Sequence, residues 1–547
     1  MMSNFVAETR GPSPRTPRPR ALLAGLLFGL VSFGLVWGGS TALAEPLTID
    51  TETARYVVRP DAGALSAIEL KQARFRDDSG NPLNLVSTTD PAYAAFRVSL
   101  EDSAGGDVPL KWRAETDTSG VVLLGEGEGV KVERRLSATA QAYSLASTTK
   151  VTQTGKTART LRLKHEVHHY APSGDLGGGF LFAAHSHSTP RGVCREEGDT
   201  RRKEHDKLLA AHGYSNAKFA GVETAYFAQA VALQGAEAGD KELAERCGLV
   251  ADPRDSRGNV EKPEGFLLSA WVSDTWTTLK PGQSFESGAV LFAGPKLRDE
   301  LTAAGHDFIE LLDLGFFASL SSWLSRLLAF IQGYVGNWGI AIILLTLLVK
   351  LVLYPLTEKS FKSMARMREL KPEIDRLNKE YEGDREKKGL ATMELYRKHK
   401  INPLGGCLPS VLQIPIWFSL YTSLSTNVEL YHAPFFGWLS DLSAPDPFFI
   451  LPLALGALMF VQQKMTPTAM DPAQAKMMLY VMPAMITAFM LFLPAGLCLY
   501  MVTNSGLSMG QQKLILVRQE RTNAAPSAAQ PVGHAGPGTT PKKARTH

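Results

Sequence analysis

The sequence predicts a polytopic α-helical membrane protein with six transmembrane helices and a large exported β-sandwich domain. Three observations predict it. The 547 residues divide into a polar half, about 45–313, and an apolar half, 314–516. Short alternating runs between turn clusters fill the first half, the punctuation of strands, whereas the second is a series of hydrophobic segments of helical length. Lys and Arg gather beside those segments although the net charge is only +4, a distribution that suits a membrane protein better than a nucleic-acid binder.

In chain order, residues 1–20 place Arg10, Arg15, Arg18 and Arg20 among prolines and read as a disordered cytoplasmic tail. Residues 21–40 form the first span. Ala42-Leu43-Ala44 offers a cleavage site, but the apolar run exceeds the ~7–15 residues usual in a signal peptide, so an uncleaved anchor is preferred. The basic flank stays inside and the next segment is exported. Residues 45–310 then carry strand-like runs such as Gly120-Val-Val-Leu-Leu124, separated by clusters such as Asp77-Asp-Ser-Gly-Asn-Pro82, and read as a β-sandwich. Within it, 201–246 is more helical in composition and is expected to pack on an edge. Cys194 and Cys247 fall in this half and can pair if it is exported; spacing alone leaves pairing open.

Two motif matches in this domain need weighing. His165-Glu166-Val167-His168-His169 satisfies HExxH, which binds zinc when both histidines share a helix face. Here the preceding Leu161-Arg-Leu-Lys alternates like a strand, on which His165 and His169 would stand four residues apart at ~3.3 Å each, too far for one ion. Gly155-Lys156-Thr157 lacks the earlier glycine of a phosphate loop, having Lys150 there, so no nucleotide site is expected.

The apolar half opens with 314–332, which places Phe317, Leu320, Leu324, Leu327, Leu328 and Ile331 on one face of an amphipathic helix suited to a membrane interface. The second span, 336–356, is followed by a charged helical hairpin at 357–403, whose excess of Lys and Arg puts it in the cytoplasm. Further spans follow at 407–427, 448–463, 478–493 and 496–515. Between them, the loop 428–447 has acidic residues but no Lys or Arg and is placed outside. The loop 464–477 and the disordered tail 516–547 are basic and placed inside.

Lys350 interrupts the second span, and an intramembrane charge costs roughly 2.5–3.5 kcal/mol on insertion scales, which marks a functional site by default. It also stands near the span's end at Pro355, where snorkelling to the headgroups would need no function. From this segment alone both readings stand. The charged hairpin and four further apolar segments beyond it favour the first.

The succession Gly336-Asn-Trp-Gly339, Tyr354-Pro-Leu-Thr357, Asn402-Pro-Leu-Gly-Gly-Cys407, Gln413-Ile-Pro415, Asp446-Pro447, Gln463-Lys-Met465 and Pro494-Ala-Gly496 resembles the YidC membrane protein insertases of the Oxa/YidC superfamily, in order and spacing over 311–518. The resemblance implies a five-helix insertase core, a periplasmic β-supersandwich and a place in the inner membrane of a bacterium with two membranes. It also implies a polar groove open to cytoplasm and lipid, with one positive residue in its wall, a position held here by Lys350. Thr346 and Tyr500 would share the groove. Ile414, Trp417, Tyr421 and Phe489 would form an apolar slide. Where the family often has a second tyrosine after Tyr500, this chain has Met501. The expected partners are nascent membrane proteins, the Sec translocon, the ribosome through cytoplasmic loops and tail, and membrane lipids, with no cofactor, no nucleotide and no enzymatic activity. The competing readings are a secondary transporter using Lys350 as its charge site, which would favour repeats that are not evident, and a membrane-anchored periplasmic enzyme or sugar-binding module.

Overall fold

The computed structural model describes residues 47–524, apart from 78, 105, 118–119, 174–188, 235–245, 256, 261–262, 400–402 and 466–475. The expected N-terminal tail and first span, most of the loop at 464–477 and the end of the C-terminal tail lie outside the described residues.

Residues from Thr48 to Pro295 form antiparallel sheets. The largest has nine strands in the order Asp199–Glu204, Arg191–Glu196, Ala217–Glu223, Phe227–Gln234, Ser284–Pro295, Ser144–Gln153, Val130–Ala138, Gly120–Gly127 and Lys111–Asp117. A seven-stranded sheet packs against it, in the order His212–Ser215, Arg246–Arg254, Gly265–Ser273, Arg159–Pro172, Arg97–Asp102 and Gly106–Asp107, with Thr277–Leu279 also paired to Arg159–Pro172. The three strands Thr48–Asp50, Ala54–Arg59 and Ala64–Leu70 form a small third sheet. Alternation explains the layering. In Val130–Ala138 every second residue points inward, which buries Val130, Val132 and Leu136. The same rule buries Arg134, whose guanidinium donates to the carbonyls of Gly63 (2.8 Å) and Phe96 (2.6 Å) and to the Ser147 hydroxyl (3.0 Å).

Cys194 and Cys247 form a disulfide with Cα atoms 6.3 Å apart, which ties the nine-stranded sheet to the seven-stranded one. The helical expectation for 201–246 is overturned in its described part. That stretch supplies the strands Ala217–Glu223 and Phe227–Gln234, whose alanines suggested helix. Ala220, Ala230 and Ala232 are instead small because the sheet there is covered on both faces, where a larger side chain would not fit.

Ten helices follow among the described residues: α1 (Arg298–Ala304), α2 (Ala318–Val335), α3 (Trp338–Val352), α4 (Tyr354–Glu369), α5 (Lys371–Glu380), α6 (Arg385–Lys398), α7 (Pro403–Thr426), α8 (Ile450–Met465), α9 (Met482–Met490, entered by a π-helical turn, Met477–Val481) and α10 (Ala495–Ala524). The turn from α2 to α3 is written in its residues. Gly336 ends α2 in the left-handed region (φ 67°), which glycine adopts without strain, and Asn337 caps α3 by accepting from the Ile340 N–H at 3.1 Å. The face of α2 expected to be apolar packs inward, with Leu324 and Leu328 buried, while Trp323, Phe330 and Tyr334 face out.

The charged hairpin is present but its first arm is two helices, because Pro372 removes a backbone donor just after Leu370. Leu370 and Ile374 meet Tyr396 across the hairpin. Pro355 lies just past the point where α3 ends and the chain bends by 65° into α4. No single described helix is both long and apolar enough to cross a membrane; the bent pair of α3 with the first part of α4 meets that condition jointly.

The two halves meet through the loop after α7. Val428 and Tyr431 pack into the β-domain's core, and Asp446 closes the loop's far end by accepting from the Trp438 indole (3.0 Å) and from the N–H groups of Phe448 (3.1 Å) and Leu451 (2.7 Å) at the start of α8. Gly339 of α3 lies so close to Phe435 in this loop that a Cβ would stand 2.1 Å from its ring, so glycine is required for the contact.

Candidate functional site

α3 is apolar except for Thr346 and Lys350, which lie one turn apart on one face and are both buried. That face packs on α10. The Lys350 ammonium donates to the Ser508 hydroxyl at 2.8 Å, and Ser508 donates in turn to the Asn504 carbonyl at 2.7 Å. Among the described residues no carboxylate pairs with Lys350, so its charge is compensated by dipoles alone. A buried cation held this way is poised to receive an anion, since among the described residues only one of its three N–H donors is engaged. Thr346 turns inward on its own helix, donating to the Ile342 carbonyl at 2.7 Å.

Sequence reasoning placed Tyr500 in the groove but missed Asn504, Ser508 and Gln512, which follow it on α10. Tyr500, Asn504, Ser508 and Gln512 recur every four residues, which aligns these polar groups along one side of the helix. That period was the available signal. Tyr500 is buried and accepts from the Gln413 amide of α7 at 3.0 Å, while Gln512, also buried, donates to the Met465 carbonyl at the end of α8 at 3.4 Å. Eight residues separate Tyr500 from Ser508, or about 12 Å along the helix, so Tyr500 and Lys350 belong to one polar lane without touching.

The residues expected to form the slide lie on α7 and α9. Ile414 is half exposed on α7; Trp417 and Tyr421 are partly buried with ring centroids 6.1 Å apart, and Trp417 meets Phe418 at 4.8 Å. Phe489 of α9 is also partly buried in the helical core. Trp417, Tyr421 and Phe489 join the apolar cluster beside the lane, whereas Ile414 extends it to the surface.

In the β-domain, His165-Glu166-Val167-His168-His169 lies within the strand Arg159–Pro172, as its alternation indicates. His165 faces the core and bonds Ser287 at 3.2 Å, and His168 bonds Ser269 at 2.9 Å on the adjoining strand. No group of three metal-ligating side chains is present among the described residues. Burial, reinforced by the Arg134 charge, pushes the His165 imidazole down to about 3.

Against known proteins, residues 46–329 match the family model described as the YidC periplasmic domain, and 330–522 match that of the 60Kd inner membrane protein. A relative from Anaeromyxobacter sp. (strain K), membrane protein insertase YidC, is 37% identical over 486 residues, covering 85% of this chain and 83% of that one. Another of the same name from Geotalea daltonii is 34% identical over 535 residues, covering 89% and 97%. A solved structure of an active YidC insertase with its first transmembrane domain resolved covers 85% of this chain and 91% of its own, at 16% identity and a TM-score of 0.35.

Proposed function

The chain belongs to the YidC family of membrane protein insertases, and on that premise we propose that Lys350 and the polar face of α10 form the groove through which it moves client segments from the cytoplasm into the inner membrane. Proteins of this family are inner-membrane insertases with a periplasmic domain. The observation that carries the groove reading is the buried Lys350, hydrogen-bonded to Ser508 and without a carboxylate partner among the described residues.

The mechanism follows from those groups. Polar side chains of α10 replace part of a client tail's hydration, which lowers the cost of drawing that tail into an apolar environment. Lys350 attracts acidic groups in the tail, and its remaining donors bond them. The client's hydrophobic segment passes along Trp417, Tyr421 and Phe489 toward Ile414 and the lipid, where burial of its apolar surface drives release. No nucleotide and no covalent step are required. The expected transporter and periplasmic-enzyme readings give way to this one because the family is that of an insertase.

The layout we assign has six spans, five of them forming the insertase core, with both termini and the α4–α6 hairpin in the cytoplasm and the β-domain in the periplasm. α3, at 15 residues, and α8, at 16, span about 22 and 24 Å, short of a ~30 Å hydrocarbon core, and so favour local thinning of the bilayer. The exposed basic hairpin and the basic composition of the tail suit the ribosome, and the Sec translocon is assigned as a partner for larger clients. The experiment is insertion of a single-span client with an acidic N-terminal tail into proteoliposomes holding wild type, Lys350→Arg, Lys350→Ala or Lys350→Glu. Wild type and Arg should insert it while Ala and Glu fail; equal insertion by all four would remove Lys350 from the mechanism.

A further inference from the structure

Where the loop after α7 meets the β-domain lies a cleft of about 440 Å³, within the range of small-ligand sites. None of its fifteen lining residues is Asp, Glu, Lys or Arg. Its walls are mostly aliphatic and aromatic, with Asn84, Ser87, His169, Thr224 and Gln229 among them, and Tyr431 from the loop closes one side, with ring centroids 5.4 Å from both Tyr226 and Phe227. Gln229 stands among the lining residues and is 4% exposed. Its amide nitrogen donates to the Leu85 carbonyl at 2.7 Å, which fixes the side chain's orientation and leaves its oxygen, fully buried, without a hydrogen-bond partner among the described residues. A buried acceptor left unmade is costly, so it marks a place where a donor belongs. His169, in the same wall, has no hydrogen bond among the described residues, and burial pushes its imidazole down to about 4, so it faces the cleft uncharged.

We propose that this cleft binds the tryptophan or tyrosine side chain of an uncharged, exported polypeptide segment, the indole N–H or phenol O–H donating to Gln229 Oε1 while the ring packs against Tyr226, Phe227 and Tyr431. Three features select this class. With no Asp, Glu, Lys or Arg among its described lining residues, the cleft offers a charged ligand no ionic partner there. The polar side chains Asn84, Ser87 and Thr224 of the lining are already bonded within the domain, and the one acceptor left at Gln229 amid aliphatic and aromatic groups suits a ring bearing a single donor better than a sugar with several hydroxyls. Tyr431 belongs to the loop that joins α7 to α8, so the cleft lies beside the exported ends of the core helices, where a client's translocated segment emerges. The last feature rests on the proposed insertase layout; the binding chemistry does not.

The test is saturation-transfer NMR on the full chain in detergent, with N-acetyl-tryptophanamide, N-acetyl-tyrosinamide, N-acetyl-phenylalaninamide and galactose as probes. The first two should bind, and the phenylalanine compound, lacking the donor, should bind about fivefold more weakly. Gln229→Met should abolish the preference for a donor-bearing ring, and Tyr431→Ala, which leaves the β-domain's own residues untouched, should weaken all three amides. Equal binding of tryptophan and phenylalanine compounds, an unchanged preference in Gln229→Met, or binding of galactose in place of the amides would each overturn the proposal. The assay contains no insertion step, so its failure and a failure of the groove mechanism are read separately.

Discussion

Each half of the molecule buries a lysine, and the two are held in opposite ways. Lys296 in the β-domain is fully enclosed and meets the buried Glu223 at 3.4 Å, a carboxylate that also pairs with Arg191 (2.7 Å) and Arg202 (3.0 Å). Arg191 reaches on to Asp313 at 2.8 Å, in the linker that leads to α2. Although burial alone would raise the Glu223 carboxyl, the three cations hold it below the usual carboxylate range. Lys350 has a hydroxyl where Lys296 has a carboxylate. A charge whose partners are all built in fastens structure. One left short of partners is kept for something that arrives, and its burial weakens the fold that carries it.

The largest effect expected from this contrast is that of Glu223→Ala, which strands three cations. It should lower the stability of the β-domain by at least about 3–5 kcal/mol in denaturant titration, whereas Lys350→Ala should leave stability unchanged or slightly raised while insertion is lost. A destabilised Lys350→Ala would break the comparison. Next comes the disulfide: Cys194→Ala with Cys247→Ala should cost about 2–4 kcal/mol and show the same loss as wild type under reductant.

Acid should act on the β-domain more weakly, because two buried groups oppose each other. His165 is held neutral when folded, down to about 3 against an unfolded value near 6.5, so its contribution is complete above pH 6.5 and is lost as the pH falls toward 3. Asp274, 4.0 Å from it, runs the other way: burial pushes its carboxyl up to about 6, favouring the fold below pH 4 and losing that contribution by pH 6. The two nearly cancel between pH 6 and 4, and the histidine shift is the larger, so the melting temperature should fall mainly below pH 4, and His165→Leu should remove that fall. Smallest is Ser508→Ala, which removes the one hydroxyl bonded to Lys350. Insertion should drop by a few fold, corresponding to about 1 kcal/mol for one hydrogen bond, with Ser508→Thr restoring it; no change would mean that Ser508 is only packing.

Much of this contrast could be read from the chain. Lys350 stood out because a charge interrupts an apolar helix, and the strand reading of His165 followed from the alternation before it. What stayed hidden needed three dimensions. Lys296 and Glu223 are 73 residues apart, and nothing local marks them as a pair. Alanine-rich strands at 217–234 imitated helix because their small side chains answer to the sheet packed over them, a constraint outside their own sequence. Ser508 was visible only through the four-residue period of α10, which the hydrophobicity of that segment concealed.

The most direct test of Lys350 as the groove's charge is a reversal on both sides. Clients carrying an acidic or a basic N-terminal tail are inserted into proteoliposomes by wild type or by Lys350→Glu. Wild type should prefer the acidic tail and Lys350→Glu the basic one, with each mismatched pair poorly inserted. If both proteins keep the same preference, attraction between Lys350 and the tail is not what selects the client, and the account is contradicted.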